Sequence, residues 1–190
     1  MTKIEIVRQH YTRFWGKARA SHAVKMGHGH MEIDEYGQQP CEGAVTLATV
    51  GLSDLGGRTQ PRTTRPLRQE FVFCCYESFM RPDVIALVAA VGEQLVASND
   101  PLRRGDVLGP AGPILECSTM EALYACPPTY YQDEFATIAV NNLAIPVMWL
   151  IPIHRSEAAW IAKHGFSDFE SHLEAADPDL MDLTRPPLRL

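Results

Sequence analysis

No apolar run in the 190 residues approaches 18, which excludes a membrane-spanning helix. The first residues, MTKIEIVRQHY, lack the charged-then-apolar pattern of a secretory leader. The expectation is therefore a chain that stays in the cytoplasm. Cysteine is scarce: there are five, an odd number, in no framework spacing. Cys74 and Cys75 are neighbours in a strand pattern, so their side chains point to opposite faces and cannot readily bridge. A reduced compartment is the simple reading. There is no HExxH, CxxC, Walker loop or glycine-rich strand–helix fingerprint, so neither a metal nor a nucleotide cofactor is expected. Basic charge is in deficit, with 17 Lys and Arg against 23 Asp and Glu and a net charge of −6. Such a chain repels phosphate backbones, which argues against nucleic acid as a partner. Internal repeats and long linkers are also missing, which leaves one domain with an extra arm.

What is present is enough apolar residue, 46%, to bury roughly 70% of the unfolded surface. Thr2 and Glu5 make a capping-box pattern, and Ile4, Val7, Tyr11, Phe14, Trp15 and Ala18 recur at helical spacing, predicting a helix over 3–19. Residues 24–33 are rich in glycine and histidine and read as a loop or poor strand. Residues 45–50 and 71–76 read as strands, the second apolar throughout and so buried on both faces. Pro82 suits the first turn of a helix reaching about Ala97, with Val84, Leu87, Val88, Val91 and Leu95 on its apolar face. Residues 101–113 form a loop, in which Gly105-Asp106 shapes a turn by bonding local backbone. Short strands are expected at 115–117 and 122–126, and a hairpin about Asn141-Asn142. The apolar run 147–151 should end at Pro152 or lie at a sheet edge. Two helices follow, at 156–164, with Ser156 as N-cap and Gly165 as stop, and at 168–175. Strands and helices interleave, yet the hairpin requires an antiparallel pair. The fold class is α/β (α+β), a single domain with a central mixed sheet flanked by helices.

Few residues suggest chemistry. His28-Gly29-His30 could present two imidazoles to one ion, with Cys41, Glu32 or His22 as a third ligand, but nothing supplies a supporting shell. A thiol nucleophile could be sought at Cys74, Cys75 or Cys126 with His154, but an apolar strand leaves a thiol inert. Ser53 lacks the second glycine of a nucleophile elbow. Asp106 and Glu70 are candidate acids with no identifiable partner. These residues predict no catalytic site and no metal site.

Several segments, in order, resemble the Suppressor of fused domain family. They are GAVTLATVGLSD from Gly43, RQEFVFCCYES from Arg68, PDVIALVAAVGEQL from Pro82, PLRRGDVLGP from Pro101, ALYACPPTY from Ala122, VMWLIPIHRSEAAWIAKHG from Val147, and PDLMDLTRPPL from Pro178. The resemblance runs from about Cys41 to Leu188, which sets a helix and arm at 1–40 beside a domain at 41–190, one compact unit. His154 stands where the family usually has threonine, and Phe79-Met80-Arg81 where a tryptophan often precedes the long helix. The resemblance implies a protein-binding role without catalysis. In animals the domain belongs to a larger regulator of Hedgehog-pathway transcription factors with a second C-terminal domain. The stand-alone bacterial form resembles proteins proposed as immunity factors, each neutralising a cognate toxin, and that is the expectation here. A regulatory module with another protein partner, and a metal or thiol enzyme, are the alternatives.

Charge patterning suggests where a partner would bind. Glu157, Asp168, Glu170, Glu174, Asp177, Asp179 and Asp182 crowd the last third. They read either as solvated outer faces of surface helices or as an electrostatic face for a basic partner such as a toxin. Glu170, Glu174 and Asp177 are the expected contacts. Residues 58–68 carry four arginines and no acid, a loop that is either a solvated insertion or a contact surface, with Arg62 and Arg65 as candidates.

Overall fold

The computed structural model describes residues 2–27, 29–56, 67–116 and 118–190. The first helix, α1 (Lys3–Trp15), opens on the expected box: Thr2 N–H donates to Glu5 Oε2 at 2.7 Å, and Glu5 N–H donates to Thr2 Oγ1 at 3.2 Å. It stops at Gly16, earlier than 19, because Gly16 takes φ 78° and residue 20 already begins a strand. Residues 24–33 belong to a hairpin of β1 (Ala20–Met26) and β2 (Gly29–Gly37), paired from Ala20–Glu35 to Met26–Gly29. Of the two expectations there, a loop or a poor strand, it is the strand that forms: β1 is an edge strand, half-solvated along its length, so its polar residues cost little. The chain continues through β3 (Ala44–Val50), the single turn α2 (Leu52–Leu55), β4 (Glu70–Tyr76) and α3 (Pro82–Ser98). Then come the two-residue β5 (Val107–Leu108), β6 (Ala122–Cys126), β7 (Thr137–Val140), β8 (Leu143–Ile153), α4 (Arg155–His164) and α5 (Phe166–Ala176). Residues 114–116 form no strand, and the neighbour of β6 is instead β5.

The eight strands form one mixed sheet in the order β1-β2-β3-β4-β8-β6-β5, with β7 paired to the first half of β8. All neighbours are antiparallel except β4 and β8, whose parallel register sets Glu70 opposite Val147 and Phe73 opposite Leu150. The 71–76 strand is thus central and buried on both faces, as its sequence required.

Alternation along the central strands divides the core in two. Phe71, Phe73 and Cys75 of β4 join Met148 and Leu150 of β8 under α3. Val72 and Cys74 join Trp149, Ile151 and Ile153 under α1, α4 and α5. Cys74 and Cys75 therefore do lie on opposite faces. On α3, Val84, Val88, Val91 and Leu95 are buried, whereas Leu87 is half-exposed and packs at the margin of the core.

Two ion-pair groups fasten the N-terminal region to this frame. Arg8 on α1 bonds Asp34 at 2.7 Å and Glu32 at 2.5 Å. Arg19 bridges Glu35, and Glu77 at 2.6 Å.

β8 runs through Pro152 to Ile153 and does not stop there; of the two expectations it is the edge that fits, since only β6 pairs with β8 at Pro152. The reason is local. Pairing with β4 ends at Leu150. The Pro152 carbonyl faces away from β6 and accepts from Arg185 Nη2 at 3.2 Å. A residue's N–H and C=O share one side of a strand, so the missing N–H removes nothing from the β6 ladder.

Candidate partner-binding surface

The last third of the chain is held by one buried ion pair. Arg185 donates from Nη1 to Glu157 Oε1 at 2.7 Å and from Nη2 to Glu157 Oε2 at 2.8 Å, with side chains 3% and 0% exposed. The backbone N–H groups of His154 (2.8 Å) and Leu188 (2.9 Å) also donate to Glu157. Burial alone would raise the Glu157 pKa, but the Arg185 hydrogen bonds and charge outweigh it and hold the carboxyl below its ordinary value. Glu157 is thus core, not part of a solvated acidic face. His154, not Ser156, caps α4 in a reciprocal box with Glu157. Its Nε2 lies 2.9 Å from the Arg185 carbonyl, which can only accept, so Nε2 carries the proton. His154 is therefore engaged with the tail and does not pair with a thiol.

This clamp places α5 across the sheet. Phe169 is fully buried against Tyr124. Gly105, at φ 96°, lies under Phe166, whose ring would be 2.4 Å from an added Cβ. The turn here is as the sequence suggested, with Arg103 N–H donating to Asp106 Oδ2 at 2.7 Å.

Of the expected contact residues, Glu170 is not a free charge. Arg104 grips it bidentately at 3.0 and 2.6 Å, and the Tyr124 hydroxyl donates to it at 2.6 Å. Burial opposes ionisation of Glu170, but Arg104 and Tyr124 prevail and lower its pKa. Glu174 and Asp177 are exposed, Asp177 as the left-handed C-cap of α5. Arg62 and Arg65 lie outside the described residues. Leu67 and Gln69, beside that segment, lie outside any helix or strand but are buried.

Beneath α5 lies a cavity of about 390 Å³ between the helix and the sheet, floored by Trp149 and Ile151 and walled by Leu173 and Leu180. Tyr130, 49% exposed, lies against Trp149 with ring centroids 4.8 Å apart. Burial first, then the nearby Asp179 and Asp177 carboxylates, push the Tyr130 phenol up. Asp179 is exposed and accepts from the Tyr76 hydroxyl at 2.7 Å. Tyr130 and the cavity were not singled out from sequence, and Asp179 was named only among the acids of the last third. The signal that could have found them is aromatic: Tyr130-Tyr131 comes one residue after the Pro127-Pro128 pair that follows β6.

The other candidates are structural. Burial pushes the thiols of Cys74 and Cys126 up to about 12. Of the metal-ligand candidates, His28 lies outside the described residues, Glu32 is occupied by Arg8, and His22 lies 3.3 Å from Glu35. Among the described residues, no three His, Cys, Asp or Glu come together as a metal-binding group. Glu70 is fully buried at the turn after β3. It accepts from Thr49 Oγ1 at 2.7 Å and from the N–H groups of Gly51, Leu52 and Ser53 at 3.2, 3.3 and 3.0 Å. Burial outweighs these donors and raises its pKa to about 7.

The family model described as Suppressor of fused protein (SUFU) matches residues 27–186. The chain belongs to this family. A relative, Immunity protein YqcF of Bacillus subtilis (strain 168), is 24% identical over 157 residues, covering 82% of this chain and 80% of that one. A crystal structure of a SUFU homologue from Neisseria gonorrhoeae FA 1090 superposes with TM-score 0.77 at 18% identity, over 97% of this chain and 96% of that one. The Sufu-Fu complex gives TM-score 0.63 at 14% identity, over 90% and 82%. Drosophila Suppressor of Fused also gives 0.63, at 12% identity, and this chain spans 45% of its length. The mixed-sheet α+β fold is thus the SUFU fold. Within it, His154, which follows Ile151-Pro152-Ile153, both caps α4 and bonds to the tail.

Proposed function

We propose that the protein is a non-catalytic protein-binding module of the immunity type, which neutralises a cognate toxin by covering a basic surface. The observation that carries this reading is the exposed carboxylate group of Glu174, Asp177 and Asp179 on and after α5, set on a rigid frame and left outside the ion pairs that occupy Glu157 and Glu170. A relative named as an immunity protein supports it. An acidic face attracts a basic partner and raises the association rate more than the affinity. The buried, raised thiols give no support to nucleophilic catalysis. A sequestering module with a different protein partner is the second reading, favoured by the likeness to the Sufu-Fu complex. The test is co-expression of the product of the adjacent gene, with cell growth and co-purification as readouts. Rescue of growth together with a stable complex supports immunity. A complex with a non-toxic product supports the second reading, and neither result under matched expression rejects both.

A further inference from the structure

We propose that the cavity under α5 is a socket for a single long cationic side chain, preferentially arginine, presented by a basic protein partner. This rests on the basic-partner reading above and names the anchor it would use. Three features of different kinds coincide there. The cavity offers apolar surface to an aliphatic stem: Trp149, Ile151, Leu173 and Leu180 are among its lining, and about 390 Å³ is room enough for one large side chain. Its surroundings are negative. Glu174 lines it, the exposed Asp177 and Asp179 lie in the chain between the lining residues Glu174 and Leu180, and Tyr130, next to the lining residue Thr129, touches the Trp149 ring. The cation in its wall, Arg104, is already matched by a bidentate bond to Glu170. Among the described residues no cation forms an ion pair with the three exposed carboxylates, so the site favours a positive head and repels a negative one. The half-exposed Tyr130 ring, packed on the lining residue Trp149, offers a π face near the cavity, which suits a planar guanidinium better than an ammonium. An apolar anchor would fill the cavity but leave the carboxylates unused. Deeply seated aromatic and arginine anchors of this kind dominate protein interfaces.

The experiment follows the indole N–H resonance of Trp149, one of three tryptophans, assigned with the Trp149→Phe variant. The whole protein is titrated with an acetylated, amidated Gly-Arg-Gly peptide and with its norleucine counterpart. A saturable shift is expected with arginine and not with norleucine. The apparent Kd should rise at least about fivefold between about 0.05 and 0.5 M salt, and at least about tenfold in the Glu174→Gln, Asp177→Asn, Asp179→Asn variant. A Leu173→Trp change, which fills the socket, should abolish the shift. If that variant fails to fold, the charge variant decides alone. Equal shifts with norleucine, no saturation with arginine, or an unaffected charge variant each overturn the socket. None of these outcomes depends on the growth rescue, so the socket and the immunity reading fail separately.

Discussion

Arg185 contributes more as a link than as a charge. Its guanidinium binds Glu157 and the Pro152 carbonyl, and its own carbonyl binds His154. Removing it leaves a buried carboxylate without its cation, so Arg185→Met should cost roughly 3–5 kcal/mol in urea denaturation. The double change Arg185→Met, Glu157→Leu should recover much of that loss. Glu70 gives a pH signature. Its folded pKa is about 7, above the ordinary carboxyl value, so the folded state keeps a proton that the unfolded chain has released. The stabilisation is full below about pH 4.5 and is lost as pH rises through 7, on the order of 3 kcal/mol. Glu157 and Glu170 act in the opposite sense, because their lowered values remove stability only as pH falls through them. Denaturation midpoints of wild type and Glu70→Gln between pH 5 and 8 isolate the term: the fall should vanish in the variant.

At the scale of elements, much of the secondary structure was legible. The helix at Pro82, the strand at 71–76 and the Asn141-Asn142 hairpin follow from proline placement, unbroken apolar runs and tolerance of positive φ, here 53° at Asn141. The misses share a cause: the pattern records a residue's own preference and not its neighbours. β1 was hidden because a solvated edge strand accepts polar sequence, and β2 because its buried Asp34 and Glu35 are matched by Arg8 and Arg19. Pro152 does not end β8 because its missing donor faces Arg185 and not the ladder. Leu87 and Leu95 look alike on the helical pattern, yet only Leu95 is buried, at 3% exposure. Leu95→Ala should therefore cost about 2–5 kcal/mol, and Leu87→Ala clearly less, by chemical denaturation. Gly105→Ala combines a positive φ with a blocked Cβ position. It should cost upwards of about 1–2 kcal/mol from the backbone alone and shift the Phe166 ring resonances at the start of α5.

For the molecule as a whole, family and fold were legible in the order of the segments, while the candidate surface was so only in part. Counting acids pointed to α5 but could not separate Glu170, spent on Arg104, from Glu174 and Asp177, which are exposed. That difference needs the path of the Gly105 turn, which brings Arg104 across from another part of the chain. Neutralising Glu174 and Asp177 should change stability by under about 0.5 kcal/mol, since exposed charges contribute little. The same change should slow association with a basic partner and flatten its salt dependence, read by stopped-flow at low and high ionic strength.

The parallel junction of β4 and β8 has a consequence for how the chain assembles in time. Strands β1 to β4 are a run of sequential antiparallel neighbours, and β5 to β8 form a second local group. Each can zip up from short loops soon after it is made. The seam between them pairs residues 70–73 with 147–150, so it closes the longest loop in the sheet. Closing that loop is the natural slow step of folding. Until the seam closes, the β4 and β8 edges, apolar on both faces, stand open. A newly made chain is then most exposed to mispairing with another copy of itself, and this interval is where crowding or a chaperone would decide its yield.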